Sequence, residues 1–224
     1  MMMTSKSFRV ITTGLEFPEG PIAMEDGSIL VVEIKRGTLT RVLSTGEQEI
    51  VAELGGGPNG IAIGPGGKCF VCNNGGFEWH SDKAGKRPTL QSASYSGGRI
   101  EVVDLNTGSV ELLYTEVDGV SLSGPNDIVF DGQGGFYFSD LGKVRRHDQD
   151  RGRVLYAKAD GSFIRTLAAP VEMPNGVGLS PDESTLYVAE TPTARLWAFD
   201  LIAPGRAQKL PWPSPHGGRF IAGS

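Results

Sequence analysis

The sequence predicts an all-β fold of the β-propeller type, and three observations favour it. Glycine makes up 32 of the 224 residues and proline another 14, which indicates many tight turns rather than long helices. Short alternating apolar runs are separated by turn pairs such as Asp26-Gly27 and Gly134-Gly135, which favour hairpins. The third observation is an internal repeat, which is typical of propellers and other repeat folds.

Four segments share one plan: a proline, a polar residue, a short apolar strand, a tight turn and a second alternating strand. They are PEGPIAMEDGSILVVE (18–33), PNGIAIGPGGKCFVCN (58–73), PNDIVFDGQGGFYFSD (125–140) and PNGVGLSPDESTLYVAE (174–190). Each is followed by two further strand-like stretches, as in GRVLYAKADGSFIRTLAA. The repeating unit is therefore four strands in roughly 40 to 50 residues, the signature of a propeller blade.

The chain is expected to form a single propeller domain over residues 1–224. It supplies about four blades' worth of sequence, so we expect the ring to be incomplete at its C-terminus and self-association through open blade edges to follow. Residues 8–14 (FRVITTG) are predicted to be a strand that completes the last blade. Segment 75–98 lengthens the second repeat and is predicted to be an inserted loop, either on the binding face or without a role in binding.

Composition excludes several classes of partner. The net charge is −5, and no basic run could follow a phosphate backbone, so nucleic acid is not an expected partner. The chain has neither a secretory h-region nor an apolar stretch long enough to span a membrane. We therefore expect a cytoplasmic protein without a membrane partner.

The cysteines and histidines give no metal or redox signal. Cys69 and Cys72 have C-x-x-C spacing, but positions three apart on a strand point to opposite faces, so we expect two buried, separate thiols. His80, His147 and His216 do not recur in register, which favours solvated surface positions.

The combination of FPEGP, GPNDIVFDGQGGFYFSD and MPNGVGLSPDESTLYVAET, in this order, resembles the gluconolactonase and regucalcin (senescence marker protein) family of six-bladed propellers. The resemblance covers essentially the whole chain. It implies a metal-dependent hydrolase, typically a lactonase, with one divalent cation, often calcium, in a cleft on the central axis. Other members of the family hydrolyse phosphoesters.

The same resemblance implies the site residues. Glu19 in PEGP, Asn126 in GPNDI and Asn175 in MPNGV match the family's metal-binding glutamate and two asparagines. The family's fourth ligand, an aspartate that is also the usual general base, is not found in this chain. Asn59 occupies the equivalent place in the second repeat, so Asn59 and Asn126 are expected to contact substrate, and Asp127 is expected to orient the amide ligand beside it.

Residue chemistry agrees with this set but leaves alternatives open. Glutamate and asparagine provide hard oxygen donors, which suit Ca²⁺, Mg²⁺ or Mn²⁺. The resemblance implies Ca²⁺ first, with Mg²⁺, Mn²⁺ or Zn²⁺ as alternatives. A cation held this way would polarise a lactone carbonyl and activate water. An asparagine before a strand is also a common turn residue. The expected function is hydrolysis of a small lactone or ester; the alternatives are a non-catalytic or inactive propeller that binds a ligand or partner, and a phosphotriesterase-like hydrolase.

Overall fold

The computed structural model describes residues 8–83, 85–211 and 214–223, and within these ranges nearly all regular structure is strand. The helical element there is a single 3₁₀ turn at Pro65–Gly67. Among these residues no helix has the length and apolar character needed to cross a membrane. The all-β prediction is confirmed.

The first two sheets are four-stranded and antiparallel. The first runs in the order β1 (Pro18–Ala23), β2 (Ile29–Glu33), β3 (Thr38–Val42) and β4 (Gln48–Glu53). The second begins with β5 (Pro58–Ile63) and β6 (Cys69–Asn73), leaves the sheet for a hairpin of β7 (Phe77–Asp82) and β8 (Gly85–Gln91), and resumes with β9 (Arg99–Val103) and β10 (Val110–Tyr114). Segment 75–98 therefore contains a regular hairpin.

The third and fourth sheets follow a short ribbon of β11 (Glu116–Val117) and β12 (Val120–Ser121). The third sheet is β13 (Pro125–Phe130), β14 (Gly135–Asp140), β15 (Gly152–Lys158) and β16 (Ile164–Val171). The fourth is β17 (Pro174–Leu179), β18 (Thr185–Glu190), β19 (Arg195–Ala203) and β20 (Arg206–Ala207), with β21 (Arg219–Ala222) also paired to β19. The four-stranded repeat is confirmed, and the number of blades in a closed ring stays a prediction.

The predicted strand at residues 8–14 is wrong, because these residues join no sheet. Their polar groups bond instead to the β3–β4 turn of the first sheet. The Thr12 hydroxyl donates to the Gly46 carbonyl (2.9 Å), and the Gln48 side-chain amide donates to the Thr13 carbonyl (2.8 Å).

The core lies between consecutive sheets, and strand alternation builds it. Residues of β6 divide between two apolar clusters: Cys69 and Val71 pack with the first sheet, and Phe70 and Cys72 pack with the third. The two cysteines are free and fully buried on opposite faces, as predicted. Burial raises the pKa of Cys69 to about 12 and raises that of Cys72 as well, so both thiols stay protonated.

The first strand of each of the four repeat sheets begins at a proline, and hydrogen bonds in both directions hold the loop before it. In the third sheet, the buried Asp140 carboxylate at the end of β14 accepts the backbone N–H groups of Ser123 (3.1 Å) and Gly124 (2.6 Å). In the opposite direction, the Leu141 N–H donates to the Gly124 carbonyl (2.9 Å). We call the side-chain bonds to the loop, together with the backbone bond that returns from the loop, the entry clamp.

The other three sheets have the same clamp. The side-chain bonds run from the N–H of Glu16 to Glu33 (2.6 Å), from that of Gly57 to Asn73 (2.9 Å), and from that of Glu172 to Glu190 (2.8 Å). The return bonds run from the N–H of Ile34, Asn74 and Thr191 to the carbonyls of Phe17, Gly57 and Met173 (3.1, 2.8 and 3.4 Å). All four side-chain acceptors are buried, from 0 to 5% exposed. The clamp therefore fixes the chain just before each proline.

Lys143, which lies just after β14, ties the β7–β8 hairpin to the third sheet. Lys143 is 1% exposed, and its Nζ donates to the Asn74 side-chain oxygen and the Gly76 carbonyl, both at 2.9 Å. It also lies 3.9 Å from the centre of the Phe77 ring and 5.4 Å from that of Tyr95. The root of the hairpin is thus held by the buried amine of Lys143.

We predict that Asp140→Ala lowers the free energy of unfolding by about 3 to 5 kcal/mol, because it leaves two loop N–H groups and a charged partner without their acceptor. That partner is Arg153, whose guanidinium donates to Asp140 at 3.1 Å. Urea unfolding measures the loss. The matched control is Asp148→Ala, an exposed carboxylate paired with Arg145, which should cost less than about 1 kcal/mol. Equal losses in the two variants would contradict the clamp.

Lys143 also predicts a pH dependence. Burial lowers its pKa from 10.5 to about 7, against the opposing effect of Asp140 and Asp150. Between these two pH values the unfolded chain binds the additional proton, so this group makes the fold more stable as the pH rises.

We therefore predict that the wild type becomes more stable relative to Lys143→Met as the pH rises from about 7 to 9.5. The difference between their free energies of unfolding should grow by at most about 1.4 kcal/mol per pH unit. Urea titrations at several pH values measure this difference, with the exposed Lys68→Met as control. A difference for Lys143→Met that stays flat over this range would show that the amine is not desolvated as the structure indicates.

Candidate metal and substrate site at the strand entries

The four residues singled out from the sequence occupy one structural position. Glu19, Asn59, Asn126 and Asn175 are each the second residue of the first strand of a sheet, directly after the entry proline. These strands contact one another in chain order: β1 packs on β5, β5 on β13, and β13 on β17. The fold therefore places the four side chains at equivalent points of four adjacent strands.

Each of these strands is irregular near that point. The pairing of β13 with β14 shifts between Pro125 and Ile128, and the pairings of β5 and β17 shift at the equivalent place. In β1 the shift comes one residue later, between Glu19 and Ile22. A proline provides no N–H for the ladder, and a bulge re-aims the side chain that it carries. The clamp before the proline and the bulge after it together set the direction of Asn59, Asn126 and Asn175, whereas Glu19 precedes the bulge of its strand.

The adjacent entries approach each other at backbone level. A Cβ placed on Gly20 would lie 2.9 Å from the Ile61 nitrogen and 3.0 Å from the Asn59 carbonyl oxygen. A Cβ on Gly60 would collide with the Asn126 carbonyl and lie 2.7 Å from the Asp127 Cα. Glycine at these positions is thus what lets the strands that carry Glu19, Asn59 and Asn126 lie close together.

The polar groups of these four side chains form no hydrogen bonds or ion pairs within the described part of the protein. Asn59 and Asn126 are only 8% and 6% exposed, Asn175 is partly buried and Glu19 is exposed. Buried amides are nearly always bonded, and the polar atoms of Asn59 and Asn126 are not sealed from solvent. These oxygens fit a cation or a polar ligand.

Asp127 follows the entry residue in the third sheet, where the other three sheets have a glycine. Its carboxylate accepts the N–H of Val177 on β17 and that of Ile128, both at 2.9 Å. Burial raises its pKa, and these two bonds oppose the rise. Asp127 was expected to orient Asn126, whereas its side-chain bonds reach the strand that carries Asn175.

No cluster of three or more His, Cys, Asp or Glu side chains suited to a metal occurs among the described residues. The predicted metal ligands are Glu19, Asn126 and Asn175. Only Glu19 belongs to these four residue types, so the predicted ligands do not form a cluster of this kind. The one aspartate at the described strand entries is Asp127, whose carboxylate is bonded to the Ile128 and Val177 N–H groups.

The clamp acceptors Glu33, Asn73, Asp140 and Glu190 were missed in the sequence. Their signal was present, because an acidic or amide residue ends the second strand of each repeat, fifteen or sixteen positions after the entry proline. Strand alternation accounts for the apolar positions of the second strand, but it does not predict what the polar residue at the end of that strand does.

A cavity of about 1100 Å³ lies against the fourth sheet and is lined by none of the four entry residues. His216 lines it and is 5% exposed, so the prediction of a solvated His216 is wrong. Its ring packs edge-on against Trp197 (4.5 Å between ring centres) and against Phe199. Burial lowers its pKa. His80 and His147 are exposed, as predicted.

The chain matches one family profile and several curated proteins. Residues 17–210 match the profile of the SMP-30/Gluconolactonase/LRE-like region. The lactonase drp35 of Staphylococcus saprophyticus is 30% identical over 190 residues, which cover 84% of this chain and 52% of that relative. The chain thus spans about half the length of this curated relative.

Two solved structures share the fold. A gluconolactonase from Xanthomonas campestris superimposes with a TM-score of 0.70 at 22% identity, covering 94% of this chain and 64% of the other. Regucalcin of Agrobacterium tumefaciens, a calcium-binding protein, gives 0.63 at 20% identity, covering 88% and 59%. With the profile match over most of the chain, these similarities show that the chain belongs to the SMP-30/gluconolactonase/LRE-like family.

Proposed function

We propose that this chain forms part of a divalent-cation-dependent hydrolase of small-molecule lactones. The observation that carries the proposal is the row of entry residues, in which one carboxylate and three amides are unbonded at equivalent points of adjacent strands. The relatives named lactonase and gluconolactonase support lactones as the substrate class, and the calcium-binding relative supports calcium as the cation.

Glu19, Asn126 and Asn175 would hold the cation through their side-chain oxygens. Ca²⁺ accepts a mixture of carboxylate and amide oxygens, so the donor set fits it, and Mg²⁺, Mn²⁺ and Zn²⁺ remain candidates. A cation bound there supplies Lewis-acid chemistry, in which the lactone carbonyl is polarised and a water is acidified.

Asn59 and Asn126 would bind the substrate. Their amides can donate to the ring or hydroxyl oxygens of a lactone, and their low exposure removes competing water. The deep position of both amides, beside close backbone contacts, limits their motion and so fixes the direction of these hydrogen bonds.

The β7–β8 hairpin would form one wall of the substrate cleft. It leaves the second sheet at the end where the strand entries lie, and it reaches the first sheet just before Glu19: Trp79 packs edge-on against Phe17 (5.1 Å between ring centres) and Lys86 pairs with Glu16 (3.1 Å). An aromatic side chain at this place would discriminate substrates by shape.

A binding protein without catalytic activity is the second candidate function. It is favoured by one observation: of the two carboxylates at the described strand entries, only Glu19 is without a hydrogen bond, because Asp127 already accepts the N–H groups of Ile128 and Val177. Self-association through open edges and a cytoplasmic location stay sequence-based predictions.

Isothermal titration with Ca²⁺ and Mn²⁺ tests the cation site. We expect one site per chain, with affinity lowered about tenfold or more in Glu19→Gln, Asn126→Ala and Asn175→Ala, because each variant removes a ligand oxygen. Asn106→Ala, an exposed asparagine in a turn, is the control and should bind like the wild type.

The same proteins should be assayed for hydrolysis of an aldonic δ-lactone by acid release. Hydrolysis that requires the cation supports the enzyme, and cation binding without hydrolysis supports the binding protein. A folded wild-type chain that binds none of Ca²⁺, Mg²⁺, Mn²⁺ or Zn²⁺ would overturn the proposal.

A further inference from the structure

We infer that Asp127 and Ser139 are positioning residues for Asn175 and that they act across the boundary between the third and fourth sheets. The inference rests on the proposed cation site, in which Asn175 is a ligand. It assigns Asp127 to the asparagine of the next strand rather than to its own neighbour, Asn126.

Asp127 stands where the other three first strands have glycine: Gly20, Gly60 and Gly176. Only in the third sheet does this position provide a side chain that can reach the next strand. Its Oδ2 accepts the Val177 N–H at 2.9 Å, while Oδ1 accepts the Ile128 N–H at 2.9 Å and so fixes the orientation of the carboxylate.

Ser139 on β14 makes the second connection. Its hydroxyl donates to the Asn175 carbonyl at 2.6 Å and accepts the Asp127 N–H at 3.1 Å. The side chain is fully buried, so water does not compete for either bond. Ser139 thereby joins the backbone of Asp127 to the backbone of Asn175.

Together these bonds hold both sides of Gly176. The Asn175 carbonyl and the Val177 N–H flank this glycine, in the stretch where the pairing of β17 with β18 is shifted. Glycine is the residue with the greatest backbone freedom. Without the two bonds, rotation about residue 176 would let residue 175 change direction. We therefore expect Asp127 and Ser139 to reduce the number of directions open to the Asn175 amide.

The decisive experiment is a set of double-mutant cycles read by Ca²⁺ or Mn²⁺ affinity. Asp127→Ala and Ser139→Ala should each weaken cation binding by roughly 10- to 100-fold, as expected for groups that orient a ligand. In the Asn175→Ala background neither change should weaken binding further. In the Asn126→Ala background both should still weaken it. Losses that add fully in the Asn175→Ala background, or that vanish with Asn126→Ala, would overturn the inference.

A matched pair of controls uses the same residue types away from the site. Asp160 accepts the N–H and the hydroxyl of Ser162 in an exposed turn, so Asp160→Ala and Ser162→Ala remove comparable bonds. Both variants should bind the cation like the wild type. Asp127→Asn keeps an oxygen acceptor of the same size and should restore most of the affinity lost in Asp127→Ala.

Amide hydrogen exchange separates this inference from the proposed function, because it needs no cation. The Val177 N–H should be protected in the wild type and in Asp127→Asn, and should exchange faster in Asp127→Ala, while protection in β6 stays unchanged and shows that the variant is folded. If the wild type binds no cation, the exchange result alone decides whether Asp127 holds β17. Unchanged Val177 exchange in folded Asp127→Ala would contradict the inference.

Discussion

A buried side-chain acceptor at the end of the second strand holds the loop that leads into the first strand of each sheet. Hydrogen bonds to a charged acceptor are worth roughly 1.5 to 3 kcal/mol and cost more when one partner is lost. In the third sheet Asp140 carries two such loop bonds and also an arginine. Because the entry residue follows the clamp directly, the direction of every candidate ligand depends on it.

All four repeats have the entry clamp, but they differ in the residue that follows the entry residue and in the bonds between neighbouring sheets. Three of the four first strands use glycine after the entry residue, and two of these glycines allow direct backbone contact with the next strand. The third sheet differs in two places: Asp127 bonds to the fourth sheet, and Lys143 anchors the hairpin of the second. The third sheet thus connects its neighbours on both sides by buried polar groups.

The alternation of side chains along a strand and the recurring proline predict much of the fold. Alternation correctly placed Cys69 and Cys72 on opposite faces, and the recurring proline marked all four strand entries. Alternation could not predict the direction of a side chain at a bulge, and the bond from the Val177 N–H to Asp127 was therefore not foreseen. It also could not foresee the burial of His216, which depends on aromatic side chains brought together by the fourth sheet. Residues 8–14 have strand-like composition but bond to a turn.

The central claim is that three of the four strand entries bind one cation through the side-chain oxygens of Glu19, Asn126 and Asn175, which the protein itself leaves unbonded. Anomalous diffraction from crystals soaked in Mn²⁺ tests it most directly, because the ion is located without reference to activity. The account predicts one strong peak at about 2.0 to 2.6 Å from the side-chain oxygens of Glu19, Asn126 and Asn175. An ordered Mn²⁺ ion elsewhere, with these three side chains turned away from it, would contradict the account.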